Sequence, residues 1–210
     1  MTLVIACASR DGIVVAADSK ASYEYDKETK TKQVLEDTQK IVQLGNNCVA
    51  LVYGDGTDDY ETFFNLYKEE SVVYPTYKGV IDYDFTVLTL PSFLNEQYGD
   101  KLKNANKVVG VMVAGINNDN EYMICDMLSV GRQAYEPFYP FTTDTYHYGG
   151  MTELAKKYFG ENEGINSMSM NEVAAELKFI IEKTADMFPD AVNKNIVIKN
   201  IDISGITPLN

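Results

Sequence analysis

Histidine is almost absent from this chain, because His147 is the only one among its 210 residues. A zinc site with two or more histidines is therefore excluded, and a nucleophile activated by an imidazole would have to use this single residue. No Gly-x-Ser-x-Gly turn is present, and residues 145–150 around His147 are aromatic and glycine-rich. We interpret His147 as a structural residue, so a hydrolase with this sequence needs another general base.

Basic residues and long apolar runs are also scarce. The 18 lysines and arginines stand against 31 aspartates and glutamates, which gives a formal net charge of −13. Nucleic acid is an unfavourable partner, because phosphate backbones are bound by clustered basic side chains. No apolar run approaches the roughly 20 residues that cross a bilayer, and the first residues lack a basic targeting region. We expect no membrane partner and a cytoplasmic location.

Cysteines are few, and Cys7, Cys48 and Cys125 include no Cys-x-x-Cys pair. Each lies in an apolar segment that predicts a strand, so we expect reduced, buried thiols and no metal site or cofactor. The acidic residues between 55 and 61 lack the ligand order of an EF-hand and are interpreted as helix caps. No Pro/Gly/Ser-rich linker divides the chain, which predicts a single domain over residues 1–210.

Two hairpins are predicted in the first quarter of the chain. Residues 2–9 and 13–18 are apolar almost throughout, which is typical of strands buried on both faces. Residues 40–44 and 48–53 form the second pair, around a turn at 45–47 that tolerates positive φ. The charged segment 23–38 between the hairpins predicts an exposed loop.

Further along the chain, apolar periodicity and capping residues predict helices near residues 60–68, 84–104, 151–159 and 170–187. Pro91 is expected near the start of the second helix or at a break. Further strands are expected at 107–116, 121–128 and 143–148, with a closing strand pair within 195–204. Hairpins that alternate with pairs of helices predict an α+β fold, a four-layer αββα sandwich of two antiparallel sheets.

Several short motifs then occur in a fixed order: Thr2-Leu3-Val4, the segment 12–18 ending in Asp18, Lys40 at the head of the third strand, and Gly54-Asp55-Gly56-Thr57-Asp58 before a helix. In this order they resemble the proteasome β-type family of N-terminal nucleophile (Ntn) hydrolases, which includes the bacterial peptidase that partners an unfolding ATPase. The resemblance implies the αββα fold and the activity of a threonine protease. It also implies a homo-oligomeric ring, peptide or unfolded-protein substrates, and an unfoldase ATPase as a partner.

The same resemblance implies the catalytic residues. Thr2 is the expected nucleophile after removal of Met1, with Lys40 near its hydroxyl and Asp18 holding the lysine. The oxyanion donor is expected to be the backbone N–H of Val52 or of Gly54, and both alternatives stay open.

Neighbouring positions are also implied. Ala21, Thr38 and Val42 are expected near the specificity pocket, and Lys20 occupies a position that is often basic in the family. A supporting aspartate on the long helix is expected at Asp186 or Asp190. The family has a Ser-Gly-Gly motif where this chain has Tyr148-Gly149-Gly150, so a supporting serine hydroxyl is missing.

The chemistry of such a site also follows from the amino acids themselves. A hydroxyl is a weak nucleophile that needs an adjacent base, and a free α-amino group with a pKa of about 7.7–8.0 is suited to accept its proton. A nearby ammonium group lowers the pKa of this amine by repulsion and stabilises a developing alkoxide. Two alternatives remain: a small-amide hydrolase or transpeptidase with the same nucleophile, and a non-catalytic assembly subunit, which the Tyr148 difference favours.

Overall fold

The computed structural model describes residues 2–22, 34–54, 60–73, 79–103, 108–130, 136–137, 146–161 and 164–209. Within these ranges the chain forms an α+β fold with two five-stranded antiparallel sheets, a two-stranded sheet and four α-helices. Most of the predicted loop 23–38, the acidic residues 55–59 and most of the aromatic stretch before β10 lie outside the described residues.

The bounds of the elements are as follows. The strands are β1 (Leu3–Ala8), β2 (Ile13–Asp18), β3 (Ala21–Ser22), β4 (Val34–Leu35), β5 (Ile41–Gln43), β6 (Cys48–Gly54), β7 (Val108–Ile116), β8 (Tyr122–Val130), β9 (Glu136–Pro137), β10 (Tyr146–Gly150), β11 (Ile196–Asp202) and β12 (Gly205–Leu209). The helices are α1 (Tyr60–Ser71), α2 (Tyr83–Lys103), α3 (Glu153–Glu161) and α4 (Met170–Met187).

The two larger sheets contain the two predicted hairpins. The first sheet has the strand order β10-β1-β2-β11-β12, and the second has the order β5-β6-β7-β8-β9. Antiparallel pairing of β1 with β2 and of β5 with β6 confirms the hairpins. Every residue of β1 and β2 is buried, as expected for continuous apolar strands that are covered on both faces.

Three hydrophobic clusters define the order of the layers. One cluster combines side chains of β1 and β2 with side chains of β6 and β7, and therefore lies between the two sheets. A second joins the second sheet to α1 and α2, and a third joins the first sheet to α3 and α4. Helices, sheet, sheet and helices thus follow one another, which is compatible with the predicted sandwich. In the part of the chain that the structure describes, no helix is long and apolar enough to span a bilayer.

Helix α4 shows how local sequence determines an element. Ser169 accepts a hydrogen bond from the Glu172 amide and the Glu172 side chain accepts one from the Ser169 amide, which forms a capping box. The face predicted from the sequence is the buried face, with Val173, Leu177 and Ile180 among its members. This helix covers β2 and β11 of the first sheet.

Two local predictions are wrong. The closing pair was expected within 195–204, but only β11 lies there, and its partner β12 begins at Gly205. Strand β12 contains Gly205 and Pro208, which weaken the strand signal but are tolerated because β12 is an edge strand. Pro91 lies inside α2 rather than at its start or at a break.

Candidate active site

Asp18 is the centre of a buried polar cluster at the end of β2. Its side chain is almost fully buried, and it accepts hydrogen bonds from four donors. Oδ1 accepts from Thr2 Oγ1 at 2.7 Å, from the Leu3 amide at 2.8 Å and from Lys40 Nζ at 2.9 Å. Oδ2 accepts from the Lys20 amide at 3.0 Å. One carboxylate oxygen therefore bonds both the Thr2 hydroxyl and the Lys40 ammonium group.

The register of the first hairpin explains why Thr2 reaches Asp18. Val4 lies opposite Ala17 in the antiparallel ladder, so the beginning of β1 meets the end of β2. The same end of β2 is paired with Ile196 of β11, which fixes it from the other side. Thr2 is 4% exposed, so the described part of the chain begins inside the fold rather than in solvent.

Lys40 comes to the cluster from the second sheet, directly before β5. It is 3% exposed, and its Nζ also donates to the backbone carbonyl of Lys20. Burial lowers the pKa of Lys40 below its usual value, and the neighbouring Asp18 carboxylate opposes this shift. Because removing a charge from water is costly, an ammonium group at this depth needs the carboxylate as its counter-charge.

The hydrogen bond from Thr2 to Asp18 was not predicted. The sequence led us to expect that Asp18 acts on Lys40 and that the lysine faces the Thr2 hydroxyl. In the structure the hydroxyl donates to Asp18, and Lys40 bonds the same oxygen. The hydroxyl and the ammonium group are therefore neighbours around one acceptor, and the carboxylate orients both.

Strand β10 supports the backbone of Thr2. The Thr2 carbonyl accepts a hydrogen bond from the Met151 amide at 2.7 Å. Gly150 has a φ of +91°, and a Cβ atom at this position would lie 1.8 Å from the Thr2 carbonyl oxygen. Only glycine fits here without displacing Thr2. The Tyr148 ring stacks with Tyr146 and Phe159 on the helix-covered face of the first sheet.

The two candidate oxyanion donors lie at the end of β6. The Val52 amide donates to the Lys40 carbonyl at 3.0 Å, so it is used in the sheet. Backbone groups alternate between the two sides of a strand, so the Gly54 amide is directed to the same side as that of Val52, beyond the start of β5. Gly54 ends the strand with a φ of +94°. Of the two backbone amides, that of Gly54 is therefore the better candidate for the oxyanion donor.

The side chains of several predicted supporting residues lie outside the polar cluster. Asp186 is exposed and pairs with Lys194, which lowers the pKa of the carboxyl group, and Asp190 is also exposed. Lys20 Nζ donates to the Pro189 carbonyl at 2.8 Å and lies 3.4 Å from Glu36.

The expected pocket residues divide into two groups. Ala21 and Thr38 are half-buried at the cluster's edge, and Thr38 Oγ1 is buried without a hydrogen-bond partner among the described residues. Val42 is instead buried in the hydrophobic cluster beneath α1 and α2. His147 is the second residue of β10 and lies opposite Ala6, and burial lowers its pKa to about 4.

Sequence reasoning missed the network that ties the cluster to the segment before β11. Asn193 accepts a hydrogen bond from the Ser19 amide at 3.1 Å and donates to the Glu36 carbonyl at 2.9 Å. Ser19 follows Asp18, and its carbonyl accepts a hydrogen bond from the Thr38 amide at 2.7 Å. Asn193 thus fixes both segments that lead to the buried ion pair. No motif marks this residue, because its partners are distant in sequence.

Among the described residues, no three histidine, cysteine, aspartate or glutamate side chains converge in a way that would hold a metal ion. The three cysteines are buried and are not joined in disulfides.

Comparison with models of known protein families and with curated proteins gives no match. The functional assignment therefore depends on the geometry of the Thr2, Asp18 and Lys40 cluster.

Proposed function

We propose that this protein is an N-terminal threonine peptidase of the proteasome β type, with the fold of the Ntn hydrolases. The observation that carries the proposal is the single Asp18 oxygen that bonds both Thr2 Oγ1 and Lys40 Nζ. A hydroxyl, a carboxylate and an ammonium group are thereby gathered at the residue that directly precedes a buried strand. The order of layers supports the assignment of the fold.

Removal of Met1 would give Thr2 a free α-amine, which provides the base. An α-amine has an ordinary pKa of about 7.7–8.0 and is therefore partly unprotonated at neutral pH. Lys40 lies next to the Thr2 hydroxyl around Asp18, and a nearby positive charge in general lowers the pKa of an amine by repulsion. The amine accepts the hydroxyl proton as Thr2 Oγ attacks.

In the first half of the reaction, Thr2 Oγ bonds to the carbonyl carbon of a peptide bond and the carbonyl electron pair moves to oxygen. The Gly54 amide donates to this oxyanion, and loss of such a donor elsewhere costs roughly 3–4 kcal/mol. Collapse of the intermediate breaks the C–N bond, and the leaving amine takes the proton from the α-ammonium group. The product is an ester on Thr2.

In the second half, the α-amine accepts a proton from water, and the resulting hydroxide attacks the ester carbonyl. Thr2 Oγ leaves and takes the proton back, which releases the carboxylic acid and restores the enzyme. Asp18 and Lys40 orient the hydroxyl and compensate charge throughout. If an amine replaces water in this half, the protein is a transpeptidase, and short amide substrates would make it a small-amide hydrolase.

The assembly belongs to the same proposal. By the resemblance, the chain forms a homo-oligomeric ring that encloses the sites, and an unfoldase ATPase delivers peptides or unfolded proteins to it. A cytoplasmic location is also part of the proposal, and the buried thiols of Cys7, Cys48 and Cys125, which are not joined in disulfides, are compatible with a reducing compartment.

The first experiment measures the intact mass of the purified chain and its reaction with a peptide epoxyketone. This electrophile can bond to a hydroxyl and an amine of one residue, so it reports a free terminal threonine. We expect loss of one methionine, a single adduct on Thr2 and cleavage of fluorogenic peptides. Thr2→Ala should abolish both the adduct and the cleavage.

Thr184→Ala is the matched control, because this buried threonine donates its hydroxyl to the Ile180 carbonyl within α4. It should retain the adduct on Thr2. A folded chain that has lost Met1 but forms no adduct and cleaves no peptide would refute the proposal and favour a non-catalytic assembly subunit. Full retention of Met1 in the native host would refute it as well. An added amine that appears in the product would instead identify a transpeptidase.

A further inference from the structure

Tyr53 occupies a space between the two sheets that two glycines leave open. Its ring atoms lie 2.0–2.5 Å from the position that a Cβ on Gly110 would take, and 2.5–2.6 Å from that of a Cβ on Gly149. Gly110 lies opposite Tyr53 on β7 of the second sheet, whereas Gly149 lies on β10 of the first sheet. The ring therefore fills a gap that exists only because both neighbours lack a side chain.

The hydroxyl of Tyr53 is anchored at the far end of this gap. It donates to both carboxylate oxygens of Asp126 on β8, at 2.7 and 2.9 Å. Burial raises the pKa of Asp126, and the hydrogen bond from Tyr53 opposes this shift. Asp126 is half-buried, and a carboxylate that is partly removed from water and that the proposed chemistry does not use is costly to keep, so its bond to Tyr53 calls for an explanation.

The segments that carry the nucleophile and the oxyanion donor both adjoin this ring. Gly149 continues into Gly150, whose backbone lies against the Thr2 carbonyl. On the other sheet, Tyr53 directly precedes Gly54 at the end of β6. The Thr2 backbone thus lies against the residue that follows Gly149, and the oxyanion donor follows Tyr53 itself. Any shift of the ring changes the spacing between the two.

We infer that Tyr53, anchored by Asp126, is a positioning residue that sets the distance between the Gly54 amide and the Thr2 hydroxyl. This inference rests on the proposed function, because it gives that distance a role in binding the oxyanion. Catalytic groups that are misplaced by about 1 Å lose on the order of 100-fold in rate, so the anchor has a measurable effect. Tyr53 itself does not touch the reacting atoms.

The test compares Tyr53→Phe with the unmodified chain in binding two ligands of the same peptide sequence. One is a peptide boronate, which forms a tetrahedral adduct with the Thr2 hydroxyl and depends on the oxyanion donor. The other ends in an unreactive amide and binds without a covalent bond. We expect boronate affinity and kcat to fall by about 10- to 100-fold, with the affinity for the amide and KM changed by less than about threefold.

Tyr67→Phe is the matched control for loss of a buried hydroxyl. Tyr67 is fully buried, and its hydroxyl bonds Thr89 at 2.7 Å in the cluster beneath α1 and α2. We expect no selective loss of boronate affinity in this variant. At the anchor, Asp126→Asn keeps an acceptor for the tyrosine hydroxyl and should retain boronate affinity within about threefold, whereas Asp126→Ala should reproduce the loss seen with Tyr53→Phe.

Amide hydrogen exchange tests the same inference without any reaction. In Tyr53→Phe the Met151 amide, which donates to the Thr2 carbonyl, should exchange faster, and in Tyr67→Phe its exchange should not change. If this pattern appears while the unmodified chain forms no epoxyketone adduct, the proposed function is wrong and the positioning of the two strands stands. If Tyr53→Phe leaves boronate affinity unchanged, or lowers both affinities equally, the inference is wrong. Should Tyr53→Phe fail to fold, the two Asp126 variants decide by the same comparison.

Discussion

Removing the charge of Asp18 and the charge of Lys40 in separate variants should show how much each contributes to the stability of the cluster. Asp18 has four donors, two of which are backbone amides, whereas Lys40 Nζ has only Asp18 and the Lys20 carbonyl as described partners. Asp18→Asn therefore leaves a buried ammonium group without a counter-charge. Lys40→Met leaves a carboxylate that keeps three donors. The two single variants should differ in stability although they break the same ion pair.

The expected magnitudes follow from this asymmetry. Removal of one partner of a buried pair costs about 3–5 kcal/mol, and Asp18→Asn should fall in this range because Lys40 is 3% exposed. Lys40→Met should cost about 2 kcal/mol, because the carboxylate loses one charged hydrogen bond and keeps the others. The double variant places two neutral side chains in the same space. It should be more stable than Asp18→Asn alone, because buried ion pairs contribute little net stability over neutral replacements.

Urea denaturation of the four proteins measures these free energies as a double-mutant cycle. For Asp18→Asn, the midpoint should decrease by on the order of 1 M or more. Peptide cleavage should be lost in all three variants, including the double variant that recovers stability. Equal stabilities of Asp18→Asn and the double variant would refute the reasoning, since the unpaired ammonium group would then carry no cost. A loss below about 1 kcal/mol for Asp18→Asn would refute it as well.

Three further predictions concern the surroundings of the cluster. Gly150→Ala should abolish peptide cleavage and destabilise the fold, because the added Cβ would displace Thr2. Gly79 has a similar positive φ but open space around it, so the control Gly79→Ala should cost only about 1–2 kcal/mol. Denaturation and activity measurements compare the two variants. Asn193→Ala should cost about 2 kcal/mol and lower kcat, because the Ser19 amide and the Glu36 carbonyl each lose one of their two hydrogen bonds. Asn195→Ala, which loses an exposed bond to Asp37, should cost less than about 1 kcal/mol, and equal losses would contradict the role of Asn193. His147 has a pKa of about 4 in the folded protein against an ordinary 6.5, so the unfolded chain binds more protons between these pH values. Stability should therefore fall as the pH decreases from about 6.5 to about 4. Thermal denaturation at a series of pH values would measure this slope, which should be smaller in His147→Asn.

Much of the fold could be predicted because its central elements carry strong local signals. The apolar runs of β1 and β2 have a turn between them, and α4 has both a capping box and a clear apolar face. Strand β12 was misplaced because Gly205 and Pro208 remove the alternation that identifies a strand. The pairing of β2 with β11 joins residues far apart in the chain, and no local pattern specifies it.

The candidate site was predictable to a different extent. Thr2, Asp18 and Lys40 were named from the order of motifs, and the structure places their side chains around one oxygen. The amides that bond Asp18 could not be foreseen, because their direction depends on the register at the strand ends. The same holds for the Val52 amide, which the sequence left as an oxyanion donor and the sheet uses for the Lys40 carbonyl.

The division of the cluster between the sheets has a consequence for its dynamics. Thr2 and Asp18 belong to the first sheet, whereas Lys40 and Gly54 belong to the second, so the proposed reaction needs the two sheets in one fixed relation. At these strand ends the sheets are joined by the buried ion pair and by the Tyr53 ring, which belongs to the hydrophobic cluster that holds the two sheets together. Proteins open locally at free energies below that of global unfolding. A small opening at these strand ends therefore separates the Thr2 hydroxyl from the oxyanion donor while most of the core remains packed. We expect activity to be lost under milder denaturing conditions than those that unfold the protein.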